Sequence, residues 1–135
     1  MARQNAAGPN IVRQYARVIG VVVIVIGVVG LLLGSDRLFG LFNIDLVEDI
    51  IHLATGGLML YVGFALRDNM LARNLVGGLG VVYLLVGLLG FIVPKLFGLL
   101  PTGYNLADNL LHLALGLLGI AIGWFVGRPT TSGVA

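Results

Sequence analysis

Four uncharged apolar stretches, Val18 to Leu33, Ile50 to Leu66, Leu75 to Val93 and Leu110 to Val126, each 16 to 19 residues long, constrain what this chain can fold into. Runs of this length and composition have to be taken out of water, and four of them fill most of the sequence. Apolar residues make up 59% of the 135 residues and charged residues only 10%, against about 25% in a soluble domain. So small a chain has too few polar side chains to cover a water-facing surface, so its solvent must be lipid. The reading is one membrane domain over residues 1–135, all-α and polytopic: a four-transmembrane-helix bundle.

At about 1.5 Å per residue these runs span somewhat less than the roughly 30 Å hydrocarbon core, so the helices are expected to extend about a turn into their flanks. Asp45 with Glu48, and Asn105 with Asp108, have the spacing of an N-cap residue and its capping-box partner, which starts the second and fourth helices before their apolar parts. Pro94 closes the third span, and Pro101 shapes the loop that follows.

The charges are asymmetric. Arg3, Arg13, Arg17, Arg67, Arg73 and Arg128 flank the spans on one side, against Arg37 and Lys95 on the other. Short loops rich in Arg and Lys stay in the cytoplasm, which puts both termini of this multi-pass chain there. Asp36, Asp45, Glu48, Asp49 and Asp108 then fall at the outer side, and Trp124, Phe125, Tyr61 and Phe64 near the inner interface. The first span, with Arg-bearing sequence before it and no small-residue cleavage site after Leu33, reads as a retained signal anchor. The segments Met1 to Asn10 and from Pro129 onward are polar and rich in small residues, and are expected to be poorly ordered. The eight basic residues form no stripe, so the lipid bilayer and not nucleic acid is the expected partner. With no cysteine, thiolate metal sites, iron–sulfur clusters and c-type haem attachment are excluded.

Shifted by 60 positions, the sequence matches itself: Gly20, Gly27 and Gly30 align with Gly80, Gly87 and Gly90, and His52, Ala54, Gly56 and Gly63 with His112, Ala114, Gly116 and Gly123. Leu38-Phe39-Gly40 matches Leu96-Phe97-Gly98 at an offset of 58. The bundle is thus expected to be two tandem two-helix repeats, about residues 17–66 and 74–127, with a pseudo-twofold axis along the membrane normal. Glycines recur every seven residues along each span, which lets helix backbones approach along one seam. Gly119, Gly123 and Gly127 form a further small-residue face, read as intrachain packing in preference to a homo-oligomer contact.

His52 and His112 are the only ionisable side chains inside the apolar runs and therefore the candidate site. At 100° per residue Glu48, His52, Gly56 and Gly63 share one narrow arc, as do Asp108, His112, Gly116 and Gly123, so the imidazoles should face the glycine seam. The preferred reading is structural: Glu48, Asp49, Asp108 and Asn109 form a polar cluster at the outer helix ends, with Glu48 and Asp108 capping and the histidines sealing the bundle. The alternative has His52 and His112 ligating a b-type haem or a small ligand across the axis. A metal site from Asp49-x-x-His52 with Glu48 and Asp108 ranks last, because Asn109 replaces the acid in the second copy; the expected cofactor and metal content is none. No Gly-rich phosphate loop ending in Lys-Ser or Lys-Thr, His-Glu-x-x-His or Gly-x-Ser-x-Gly occurs, and no catalytic residue is assigned.

The run Asn109-Leu110-Leu111-His112-Leu113 with Gly116, echoed by Asp49-Ile50-Ile51-His52-Leu53 with Gly56, together with the Leu-Phe-Gly turns, resembles the bacterial membrane proteins grouped as domain of unknown function 4383. The resemblance covers roughly residues 13 to 127 and implies a bacterial four-helix plasma-membrane protein without an activity to carry over. The functional expectation is a non-enzymatic structural or accessory component of the membrane or of a larger membrane complex.

Overall fold

A computed structural model of the protein describes residues 7–34 and 37–128. Helix α1 spans Ala7–Leu33, α2 Leu46–Phe64, α3 Asn69–Ile92 and α4 Leu106–Ile120, and α4 continues through a wider π-helical segment, Ala121–Val126. Four helical spans, Ile11–Leu33, Leu46–Phe64, Asn69–Ile92 and Leu106–Val126, are long and apolar enough to cross a membrane. Each begins four to seven residues before its uncharged run, as the need to span the bilayer requires. Arg3, Asp36 and the tail from Pro129 lie outside the described residues. Residues 7–10 form the start of α1, whose first turn accepts Pro9 because the N–H it lacks has no partner there anyway.

Helix ends follow local chemistry. Gly34, at φ +73°, closes α1 with its N–H on the Gly30 carbonyl, the left-handed stop that glycine favours. Asp68, not foreseen from the sequence, caps α3 by accepting the Leu71 N–H at 2.8 Å. The α2 C-terminus is held from outside: the Arg13 guanidinium donates to the Leu66 and Val62 carbonyls, to the Arg67 carbonyl at 2.9 Å and to Asn69 Oδ1 at 2.7 Å. Arg17 donates to the Gly63 carbonyl at 2.7 Å, and Arg73 to that of Gly123 at 3.1 Å.

α1 lies along α2 and α3 along α4, while the hairpins meet where α3 touches α1 and α2 and where the end of α4 touches α1. Glycine sets the closeness within each hairpin. A Cβ on Gly20 would stand 3.0 Å from the Leu60 backbone nitrogen, and one on Gly80 would stand 2.5 Å from that of Ile120. Gly119 faces Gly80, Gly123 faces Gly77 and Gly127 meets Val12, so this small-residue face is filled within the chain. Trp124 lays its ring on Gly77 and donates to Asn74 Oδ1 at 3.2 Å. Tyr61, Phe64 and Phe125 are exposed, with Arg17 over the Phe64 ring and Arg128 over Phe125.

The two ends of the bundle differ in character. At the arginine-bearing end a wholly apolar core gathers Val12, Ala16, Met59, Val62, Leu66, Ala72 and Val76. At the other end the buried side chains include Asp45, Glu48, Asp49, Asp108, Asn109 and His112.

Candidate functional site

The polar end begins with two loops that are tied to each other. Asp45 stands at the N-cap of α2, but its carboxylate does not cap that helix. It crosses to the other loop and accepts from the backbone N–H groups of Thr102 at 2.9 Å and Gly103 at 3.1 Å. The capping box expected of Asp45 with Glu48 is therefore absent. Asn43 Nδ2 donates to the Gly103 carbonyl at 2.7 Å, and Thr102 Oγ1 donates to that of Ile44 at 3.2 Å. In the reverse direction Asn105 Nδ2 donates to the Leu41 carbonyl at 2.8 Å. Asn105 also forms the expected capping box, accepting the Asp108 N–H at 3.0 Å while Asp108 Oδ2 accepts the Asn105 N–H at 2.8 Å.

This difference between the helix starts decides which carboxylate enters the bundle. Asp108 is turned back onto its own cap and onto the Asn43 N–H. Glu48 makes no cap and is one methylene longer, so its carboxylate reaches the space between α2 and α4. It lies 5% exposed, with Oε1 3.9 Å from His52 Nε2 and 3.9 Å from His112 Nε2. The imidazole centroids are 6.4 Å apart, with planes inclined by 12°. Both histidines thus face the interior, though toward each other across the two hairpins and not along the glycine seams, where Gly56 meets α1 and Gly116 meets α3, and Glu48 is the acid they share.

The three groups do not hydrogen-bond directly to one another. His112 Nδ1 is 2.8 Å from the Asp108 carbonyl. A carbonyl can only accept, so Nδ1 carries the proton, and in the neutral ring Nε2 keeps its lone pair toward Glu48. Glu48 Oε2 and His52 Nδ1 are buried without a partner among the described residues. Glu48 Oε1 and one nitrogen of each ring lie within 4.8 Å of one another, a grouping compatible with a metal ion. Beside them is a cavity of about 110 Å³ whose lining includes Tyr83, Asp108 and Phe42. Tyr83 shares a hydrogen bond with Thr55 Oγ1 at 3.0 Å, and the Tyr104 ring meets His112 edge-on at 5.0 Å. Burial first, then the nearby carboxylates of Glu48, Asp108 and Asp45 with the Tyr83 phenol, raises the Tyr104 phenol above its usual pKa.

Asp49 and Asn109 do not join the histidines. A Cβ on Gly30 would overlap the Asp49 carboxylate and one on Gly90 the Asn109 amide, so each polar side chain is lodged against a glycine of its hairpin partner. The metal arrangement considered from sequence, with Asp49 and Asp108 as ligands, is therefore not the one assembled. Tyr83, Thr55, Asn43, Thr102 and Tyr104 went unnoticed in the sequence. Only the polarity of Asn43 and Thr102 beside apolar loop residues could have marked them.

Four membrane-crossing helices around a buried cluster of imidazole and carboxylate groups define a multi-pass membrane protein with a polar site at one end of its bundle. The chain belongs to the family described as a domain of unknown function (DUF4383), which matches residues 13–125. No curated protein and no solved structure matches it.

Proposed function

We propose that this is a non-enzymatic structural or accessory protein of the bacterial plasma membrane, with both termini cytoplasmic and the His52–His112 end turned outward. The observation that carries this reading is how the polar side chains of the loops and helix ends are engaged. Asp45, Asn43, Thr102, Asn105 and Asp108 tie loops and helix starts together, and Arg13, Arg17 and Arg73 hold helix carbonyls. Groups fixed in this way serve integrity and not turnover. The orientation is supported by the gathering of Arg13, Arg17, Arg67, Arg73 and Arg128 toward the apolar-cored end, with Arg37 and Lys95 in the opposite loops.

An internal duplication is supported by contacts that recur 60 positions apart. Gly30 lies against Asp49 and Gly90 against Asn109; Gly20 meets Leu60 and Gly80 meets Ile120. A pseudo-twofold axis along the membrane normal would relate these pairs and bring His52 and His112 together.

The haem alternative fits poorly. The cavity beside the imidazoles is about 110 Å³, smaller than the roughly 150 Å³ cavity that accommodates benzene in a protein core. A tetrapyrrole would need far more room than this cavity supplies. Protein extracted from its native membrane in mild detergent is expected to lack a Soret band and to migrate on native gels with a larger assembly. A Soret band lost in the His52→Ala/His112→Ala double variant would overturn the haem-free reading.

A further inference from the structure

We propose that Glu48, His52 and His112 bind one divalent transition-metal ion of the zinc type, with a fourth position open to the adjoining cavity. Three independent features meet at this point. The first is the donor set. Two imidazole nitrogens and a carboxylate oxygen, from facing helices, suit zinc and its first-row neighbours and not the all-oxygen preference of magnesium or calcium. The three donor atoms lie within 4.8 Å of one another, with both Glu48–His distances 3.9 Å. A tetrahedral sphere with metal–ligand bonds of about 2.0 to 2.1 Å has edges of about 3.3 Å. Closing the site therefore takes shifts of an ångström or so at side-chain tips, without moving a helix.

The second feature is orientation. A ligating histidine ordinarily donates its other ring N–H to a carbonyl or carboxylate, which fixes the tautomer and aims the free nitrogen at the metal. His112 is held in this way by the Asp108 carbonyl at 2.8 Å, with Nε2 directed at Glu48. The third is an unmet need. Glu48 is 5% exposed, Oε2 has no partner, and the only basic groups within 4.0 Å of it among the described residues are the two imidazoles. A carboxylate in that position is costly without a compensating cation. A dication between Glu48 and the imidazoles, with the Asp108 carboxylate close by, supplies that charge. The cavity of about 110 Å³ leaves room for water at the open position.

The proposal goes beyond the accessory role and does not depend on it: a scaffold that binds no metal survives its failure, and a metal-binding protein of another role survives failure of the scaffold reading. The full chain, purified in mild detergent, stripped with a chelator and desalted, is titrated with Zn²⁺ and separately with Co²⁺. One Zn²⁺ per chain is expected, together with a higher melting temperature and a four-coordinate Co²⁺ visible spectrum that Zn²⁺ abolishes. His52→Gln, His112→Gln and near-isosteric Glu48→Gln should each weaken binding by at least about tenfold. Asp49→Asn, whose side chain faces Gly30, should leave it unchanged. Should the histidine variants fail to fold, the wild-type Co²⁺ spectrum and Glu48→Gln decide. Absence of Zn²⁺ binding, a spectrum resembling hydrated Co²⁺, or equal binding by folded ligand variants would overturn the assignment.

Discussion

Gly116→Ala should destabilise the bundle far more than the addition of one methyl group suggests. A Cβ at Gly116 would stand 2.5 Å from the Leu84 backbone nitrogen and 2.7 Å from its Cα, where ordinary contact begins at 3.4 Å. The obstacle is backbone, so no rotamer change relieves it and α3 must withdraw from α4 by close to an ångström. A radial gap of that size forfeits about a quarter to a half of each dispersion well, itself about 0.1 to 0.2 kcal/mol per atom pair. With some tens of atom pairs along this crossing, the loss comes to about 1 to 3 kcal/mol, the range of typical overpacking substitutions. In the lipid environment no hydrophobic drive offsets it, because association there rests on close contact itself. Gly78→Ala is the control: a Cβ at Gly78 meets nothing within 4 Å, and alanine favours the helix by about 1 kcal/mol over glycine. The assay is reversible unfolding of both variants in the same detergent, followed by loss of helical circular dichroism. Equal stability of Gly116→Ala and Gly78→Ala would refute the claim that glycine sets the α3–α4 distance.

Two further substitutions test how the ends are held. Asn105→Ala removes the α4 cap and the bond to the Leu41 carbonyl, and should cost about 1 to 2 kcal/mol in the same unfolding assay; a neutral result would show that loop and cap contribute nothing. Arg13→Gln releases the α2 C-terminus and should cost about 1 to 2 kcal/mol, with faster amide hydrogen exchange at Ala65 and Leu66; unchanged exchange there would contradict the capping role.

Composition and periodicity made the helices legible, because spans long enough for a bilayer leave the chain few alternatives. The inward direction of His52 and His112 was legible too, since a helix repeats its faces at a fixed angle. The loops at the polar end were not. Asp45 has the spacing of a capping residue, yet its carboxylate bonds Thr102 and Gly103, more than fifty residues away, and no local pattern encodes a partner at that distance. The same limit hid the different fates of Glu48 and Asp108. They occupy equivalent sequence positions, and only the diversion of Asp45 leaves Glu48 uncapped and free to reach the imidazoles. The packing of Trp124 was hidden for a related reason: an aromatic near a helix end does not reveal its partner, and only the fold sets Gly77 opposite, in a space that its ring fills.

The central claim, an outward-facing polar end on a bundle with cytoplasmic termini, is tested most directly by cysteine accessibility. The chain has no cysteine, so Lys95→Cys, Arg37→Cys and Arg67→Cys each carry a single reporter thiol. In intact cells, with the outer layers made permeable and the plasma membrane sealed, a membrane-impermeant maleimide should label Lys95→Cys and Arg37→Cys, and should reach Arg67→Cys only after lysis. Labelling of Arg67→Cys in sealed cells, with Lys95→Cys protected, would invert the topology and contradict the account.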